Sequence, residues 1–243
     1  MPKIITLTLI LFVHFFSTGK ANYLVYYAFI DSAQKFSEIK EYKNALRLYE
    51  KAFNEFGFLH NDFLNEAINA AGKMKDKDLK NKYLILLNER KTSISEPYKL
   101  FIDSLYSCDQ EIRNSKSIKA ARYINMIEKN LISEIDSSKF FKSKLILDEW
   151  IKVDSINSIT LIKMINKKGF PSETKVGSKS FDHVFEMLVH FGLYPTNTNF
   201  YQMLDLALKN GDLLPLDYAY IMDCQKVRYG EKQLYCQYLP YLF

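Results

Sequence analysis

Glycine and proline are scarce in this 243-residue chain, at eight and six residues. That scarcity disfavours β-sandwiches and barrels, whose many tight turns draw on both residue types. Cysteine is scarcer still, and three thiols cannot all pair within one chain. No Cys-x-x-Cys, His-Glu-x-x-His, Gly-rich phosphate loop or nucleophile elbow occurs, so the usual signatures of zinc, nucleotide and serine-hydrolase sites are missing. The formal charge is +5, yet its charges are interspersed and form no dense Lys/Arg block. Nucleic-acid binding therefore has weak support. Past the first twenty residues, no apolar run approaches the roughly 20 residues a membrane span needs.

What is abundant is apolar and aromatic. Apolar residues make up 48% of the chain and aromatics 15%, mostly Tyr and Phe. At helical spacing such aromatics build a core more often than a ligand-stacking surface.

The N-terminus has a short basic start at Met1 to Lys3. An apolar run from Ile4 to Phe16 follows, and small residues stand at Gly19 and Ala21. This is the pattern of a secretory signal peptide over 1–21, cut after Ala21 so that mature protein begins at Asn22. Lys3 and Lys20 would leave with it. The alternative is a retained N-terminal anchor. With no Cys beside the cleavage site, a lipoprotein anchor is disfavoured.

Period-3.6 patterning predicts helices over 23–38, 42–55, 61–74, 77–90, 96–113, 117–131, 138–152, 156–168, 179–191, 198–209 and 215–228. Gly57, Gly169, Gly192, Gly211 and Gly230 stand where helices would stop, with Pro171, Pro195 and Pro215 shortly after three of them. Ser95, before Glu96 and Pro97, opens a helix well; Asp154 and Ser178 read as N-caps. The segments 171–177 and 232–243 are left as extended candidates.

Ala33, Phe36, Ala45, Tyr49 and Ala52 alternate small and large residues across 26–59. This resembles a tetratricopeptide-type helix pair, in which small residues let two antiparallel helices approach and aromatics fill the groove between them. Glu41 to Ala52 looks like the second half of such a repeat. The pair at 61–90 has Ala67, Ala70, Ala71 and Tyr83 but a degenerate pattern. The expected organisation is an all-α fold: tetratricopeptide-like hairpins over 22–92, packed on a helical domain over 95–243. The pairs would either form a peptide-binding groove or simply cap the C-terminal domain.

From about residue 95 the chain resembles a bacterial domain family of unknown function. Asp109-Gln110 with Arg113 resembles its D-Q-x-x-R, and Asp154 with Asn157 its D-x-x-N. Gly169-Phe170-Pro171 resembles G-W-P, with Val176-Gly177 following. His190 sits at a Q-H pair, and Phe200 matches an aromatic in the next helix. Tyr218, Asp223, Gly230, Gln233 and Tyr235 resemble the family's closing run. Departures are Val189 before His190, Cys224 in place of Arg, and Cys236, Gln237 and Tyr238 in place of Gly, Thr and Gln. The resemblance implies a helical fold and a set of candidate residues: Asp109, Arg113, Asp154, Asn157, His190 and Asp223.

Gathered in one cleft, that set would supply carboxylates and an imidazole for acid–base work. Dispersed, its members would cap helices or pair along them, as Asp109 and Arg113 can at i, i+4. His190 is expected to meet at least one of Asp109, Asp154 or Asp223. His183, Glu186 and His190 share one helix face and could ligate zinc or iron, but a polar helix face with one half-buried His is the favoured reading. No cofactor or metal is expected. Cys224 and Cys236 could form a disulfide, and Cys108 reads as a buried small hydrophobe. The functional expectation is an exported protein that binds a protein or peptide; the alternative is a hydrolase-like enzyme working around His190.

Overall fold

The computed structural model of the protein describes residues 23–56, 60–132, 134–191, 198–228 and 230–235. The segment expected to be a signal peptide, Gly57, Gly192, Pro195 and Cys236 to Tyr238 lie outside them. Among the described residues there are eleven helices and no strand, so the fold is all-α. They are α1 (Tyr23–Glu38), α2 (Tyr42–Phe56), α3 (Asn61–Met74), α4 (Lys77–Thr92), α5 (Glu96–Ile112), α6 (Ser115–Glu128), α7 (Ser137–Lys168), α8 (Glu173–Val176), α9 (Ser178–Val189), α10 (Thr198–Asn210) and α11 (Pro215–Arg228). The chain forms two compact units that divide inside α4, between Leu87 and Asn88.

In the first unit, α1 and α2 pack side by side across a short turn. Lys40 takes positive φ in that turn. Ala33, Ala45, Tyr49 and Ala52 are wholly buried. Ala67 and Ala71 of α3 are equally buried, and α3 lies against α2. One carboxylate ties the three helices: Glu66 accepts from Gln34 Nε2 (3.0 Å) and Tyr49 OH (2.6 Å). Helix α4 has no Ala or Gly to permit the same close approach. It meets α2 through Tyr83, edge-on to Phe53 at 5.8 Å, and through Lys82, which pairs with Glu50 at 3.0 Å.

The second unit is built round Tyr98, Ile102 and Leu105 of α5, Leu161 and Ile165 of α7, and the apolar faces of α9, α10 and α11. The predicted break at 153–155 does not exist. The segment 137–168 is one 32-residue helix, so Asp154 and Asn157 sit in its interior and cap nothing. Real caps fall elsewhere. Asn114 Oδ1 accepts from Lys116 N and Ser117 N to open α6, and Asp136 Oδ1 accepts from Lys139 N to open α7. Residues 173–176 form one helical turn instead of an extended link. The N-cap position of α9 is Gly177, while Ser178 Oγ donates to Glu173 at 2.6 Å. Cys108 is exposed, against expectation: α5 turns its apolar side, not this thiol, to the core.

Candidate functional site at the ends of two parallel helices

Helices α5 and α9 lie against each other and run parallel, as their cross-links show. Just ahead of both helices, Ser95 N donates to Lys175 O of α8 (2.8 Å). Two turns into α5 and about one into α9, Asp103 Oδ1 accepts from Ser180 Oγ (2.7 Å) and meets His183 Nδ1 (2.9 Å). The next turn brings Tyr106 OH to Glu186 Oε2 (2.8 Å), with the Tyr106 ring stacked on His183 at 3.9 Å. At their ends Asp109 Oδ2 meets His190 Nδ1 at 3.0 Å. Residues at three- and four-residue steps line one face of a helix, so the seam is two matched polar lines.

Its last rung gathers most of the predicted set. Asp109 is buried, with Arg113 Nη1 2.8 Å from Oδ1, and Oδ2 shared by His190 and Gln110 Nε2 (3.0 Å). Arg113 extends the pairing to α7 through Nη2 and Asp154 Oδ1 (2.8 Å), and its guanidinium lies 5.2 Å from the Trp150 ring centre. The carboxyl of Asp154 is pushed above its ordinary range by burial, partly opposed by Arg113. Asn157, one turn on from Asp154, is buried with its Nδ2 unpartnered.

The sixth member stands apart in its bonding. Asp223 Oδ1 accepts from the backbone N–H groups of Leu234 (2.7 Å) and Tyr235 (3.0 Å). The imidazole's partner is Asp109, one of the three carboxylates expected to meet it. Asp154 joins indirectly, through Arg113.

The site has a simple electrostatic logic. Arg113 and His190 occupy the C-cap positions of α5 and α9. Two negative helix ends therefore converge there, a place that favours cationic groups. Carbonyls at and just past the end of α9 accept from α11: Gln225 Nε2 donates to Leu188 O (3.2 Å), and Arg228 donates to Val189 O (3.1 Å) and to Phe191 O. His190 keeps a partly exposed ring, about 26% open, above carboxylates that are nearly sealed.

The chain matches no family model, no curated protein and no solved structure. Gly169 offers its carbonyl to Tyr98 OH at 2.8 Å, while Phe170 and Val176 enter the core. Gly177 has φ +82 and lies against Ile94, so a Cβ there would meet Cδ1 at 3.1 Å. Phe200 stacks on Phe191 at 4.1 Å. These pieces shape the link into α9 and the packing beyond it.

His183, Glu186 and His190 do share one face of α9, each bonded to a different residue of α5. Among the described residues, no group of three or more His, Cys, Asp or Glu is arranged to hold a metal. Cys224 is a free, buried thiol, pushed up to about 11 by desolvation.

Sequence reasoning missed Asp103, Tyr106 and Ser180. The available signal was spacing: Asp103, Tyr106, Gln110 and Arg113 repeat at three- and four-residue steps, as do Ser180, His183, Glu186 and His190.

Proposed function

We propose that this is an exported helical protein that binds another protein or a peptide through its N-terminal helix pairs, which we read as tetratricopeptide-like. One observation carries the reading. Helix α4 holds the apolar run Tyr83 to Leu87, yet only Tyr83 is buried; Leu84 and Ile85 are exposed, Ile85 by 58%. A helix with apolar residues on its open side invites a partner. Export is supported by the signal-like N-terminus, and no described helix is long and apolar enough to cross a membrane.

A photo-crosslinker at Ile85, with a control at Lys80, tests the reading in cells that make the protein. A discrete adduct from Ile85 that Leu84→Glu abolishes is expected. No adduct, or adducts equal at both positions, would count against it.

A second reading, hydrolase-like chemistry, is favoured by the Asp109–His190 contact alone. A carboxylate fixed on Nδ1 orients an imidazole so that its other nitrogen can serve as a base. Turnover of an ester, peptide, glycoside or phosphoester substrate that is lost in His190→Ala would support it.

A further inference from the structure

We infer that a second copy of this chain packs antiparallel along the exposed face of α7. The face opposite the core carries Phe141, Leu145, Asp148, Lys152, Ile156 and Ile159, at steps of four, three, four, four and three residues. All six side chains are exposed, Phe141 by 64% and Leu145 by 70%. The inward face carries Ser143, Asn157 and Leu161, all buried. Spacings of eleven residues, Leu145 to Ile156 and Asp148 to Ile159, bring a side chain back almost to the same line along a straight helix. The stripe is therefore continuous, about 27 Å long at 1.5 Å per residue.

Its order is what selects the occupant. Reading along the stripe gives two apolar residues, an acid, a base and two apolar residues. Turned end for end about a two-fold axis near position 150, the pattern complements itself. Phe141 faces Ile159, Leu145 faces Ile156, and Asp148 faces Lys152 on both sides of the axis. Glu149, also exposed, gives Lys152 a second acid. A parallel pairing in register would set Asp148 on Asp148 and Lys152 on Lys152, which like-charge repulsion opposes. Self-complementarity of one patch is what a two-fold homodimer requires. One helix stripe is smaller than a standard stable interface, so the dimer is weak, concentration-dependent and salt-sensitive.

The test is sedimentation velocity of the full chain from about ten to several hundred micromolar, the range in which a weak interface dissociates. A monomer–dimer equilibrium is expected. Lys152→Glu should weaken it at least about tenfold, and the double change Asp148→Lys, Glu149→Lys should do the same. Mixing these two variants should restore the dimer, because each then faces its opposite charge. All three residues are exposed, and an unchanged circular dichroism spectrum checks that the fold is kept. A monomer at every concentration overturns the inference, as does a dimer indifferent to Lys152→Glu. A photo-crosslinker at Leu145 that captures a different protein and never a second copy overturns it as well.

Discussion

Asp109 Oδ2 and His190 Nδ1 stand 3.0 Å apart, and this contact closes the last rung of a polar seam between two parallel helices. The same carboxylate also receives Arg113 and Gln110. Removing one partner from a buried charge pair is costly because the other is left uncompensated. Asp109→Ala should therefore destabilise the protein by about 3–5 kcal/mol, measured by urea unfolding. Asp31→Ala, which breaks the exposed pair with Lys35, should leave the midpoint unmoved.

Two carboxyls, one on this seam and one joined to it through Arg113, should give opposite pH dependences. For Asp154, burial raises the folded-state value above 3.8. Its contribution is fully present below 3.8 and is lost as pH rises through the raised value. For Asp103, burial pushes upward, but the Ser180 and His183 hydrogen bonds and the His183 and Lys99 charges together hold it below 3.8. Its contribution is present above 3.8 and is lost as pH falls through the lowered value. Unfolding of Asp154→Asn and Asp103→Asn from pH 2 to 7, each set against the parent, should show differences of opposite slope. Parallel curves would remove both assignments.

Gly177→Ala should cost about 1–3 kcal/mol, since φ +82 with ψ 159 is a region that side chains avoid. Its new methyl would also crowd Ile94. A thermal melt reads the effect directly.

Ala45→Leu should destabilise the first unit by about 1–3 kcal/mol, because Ala45 is fully buried on α2. A melt unchanged from the parent would mean that the contact can relax around the added bulk.

The thiols should separate by reactivity. Cys108 is exposed and should react with a thiol reagent in the native state; Cys224 is buried, with a raised value, and should react only after unfolding. Peptide mapping after brief labelling distinguishes them.

Most helices were legible in the sequence because apolar periodicity and a few stop residues bound them. Helix α7 was misread for a definable reason. Asp154, Ser155, Ser158 and Thr160 are residues that usually cap or break helices. Here Ser155, Ser158 and Thr160 return their hydroxyls to carbonyls four residues back, and Asp154 turns sideways to Arg113. Tertiary contact thus removed the signal to stop. At the site, the polar residues could be picked out one helix at a time. Which line faced which could not, because the pairing of α5 with α9 joins residues about eighty positions apart.

The end of α9 is finished by side chains that arrive late. Gln225 and Arg228 lie on α11, more than thirty residues beyond the carbonyls they satisfy. A chain emerging from the ribosome completes its N-terminal parts first. During synthesis, α5 and α9 can meet and zip from the Ser95–Lys175 link just ahead of them while the other extremity waits. The surroundings of His190 are therefore among the last features of this molecule to mature, and a nascent chain halted before Gln225 would carry a frayed version of them.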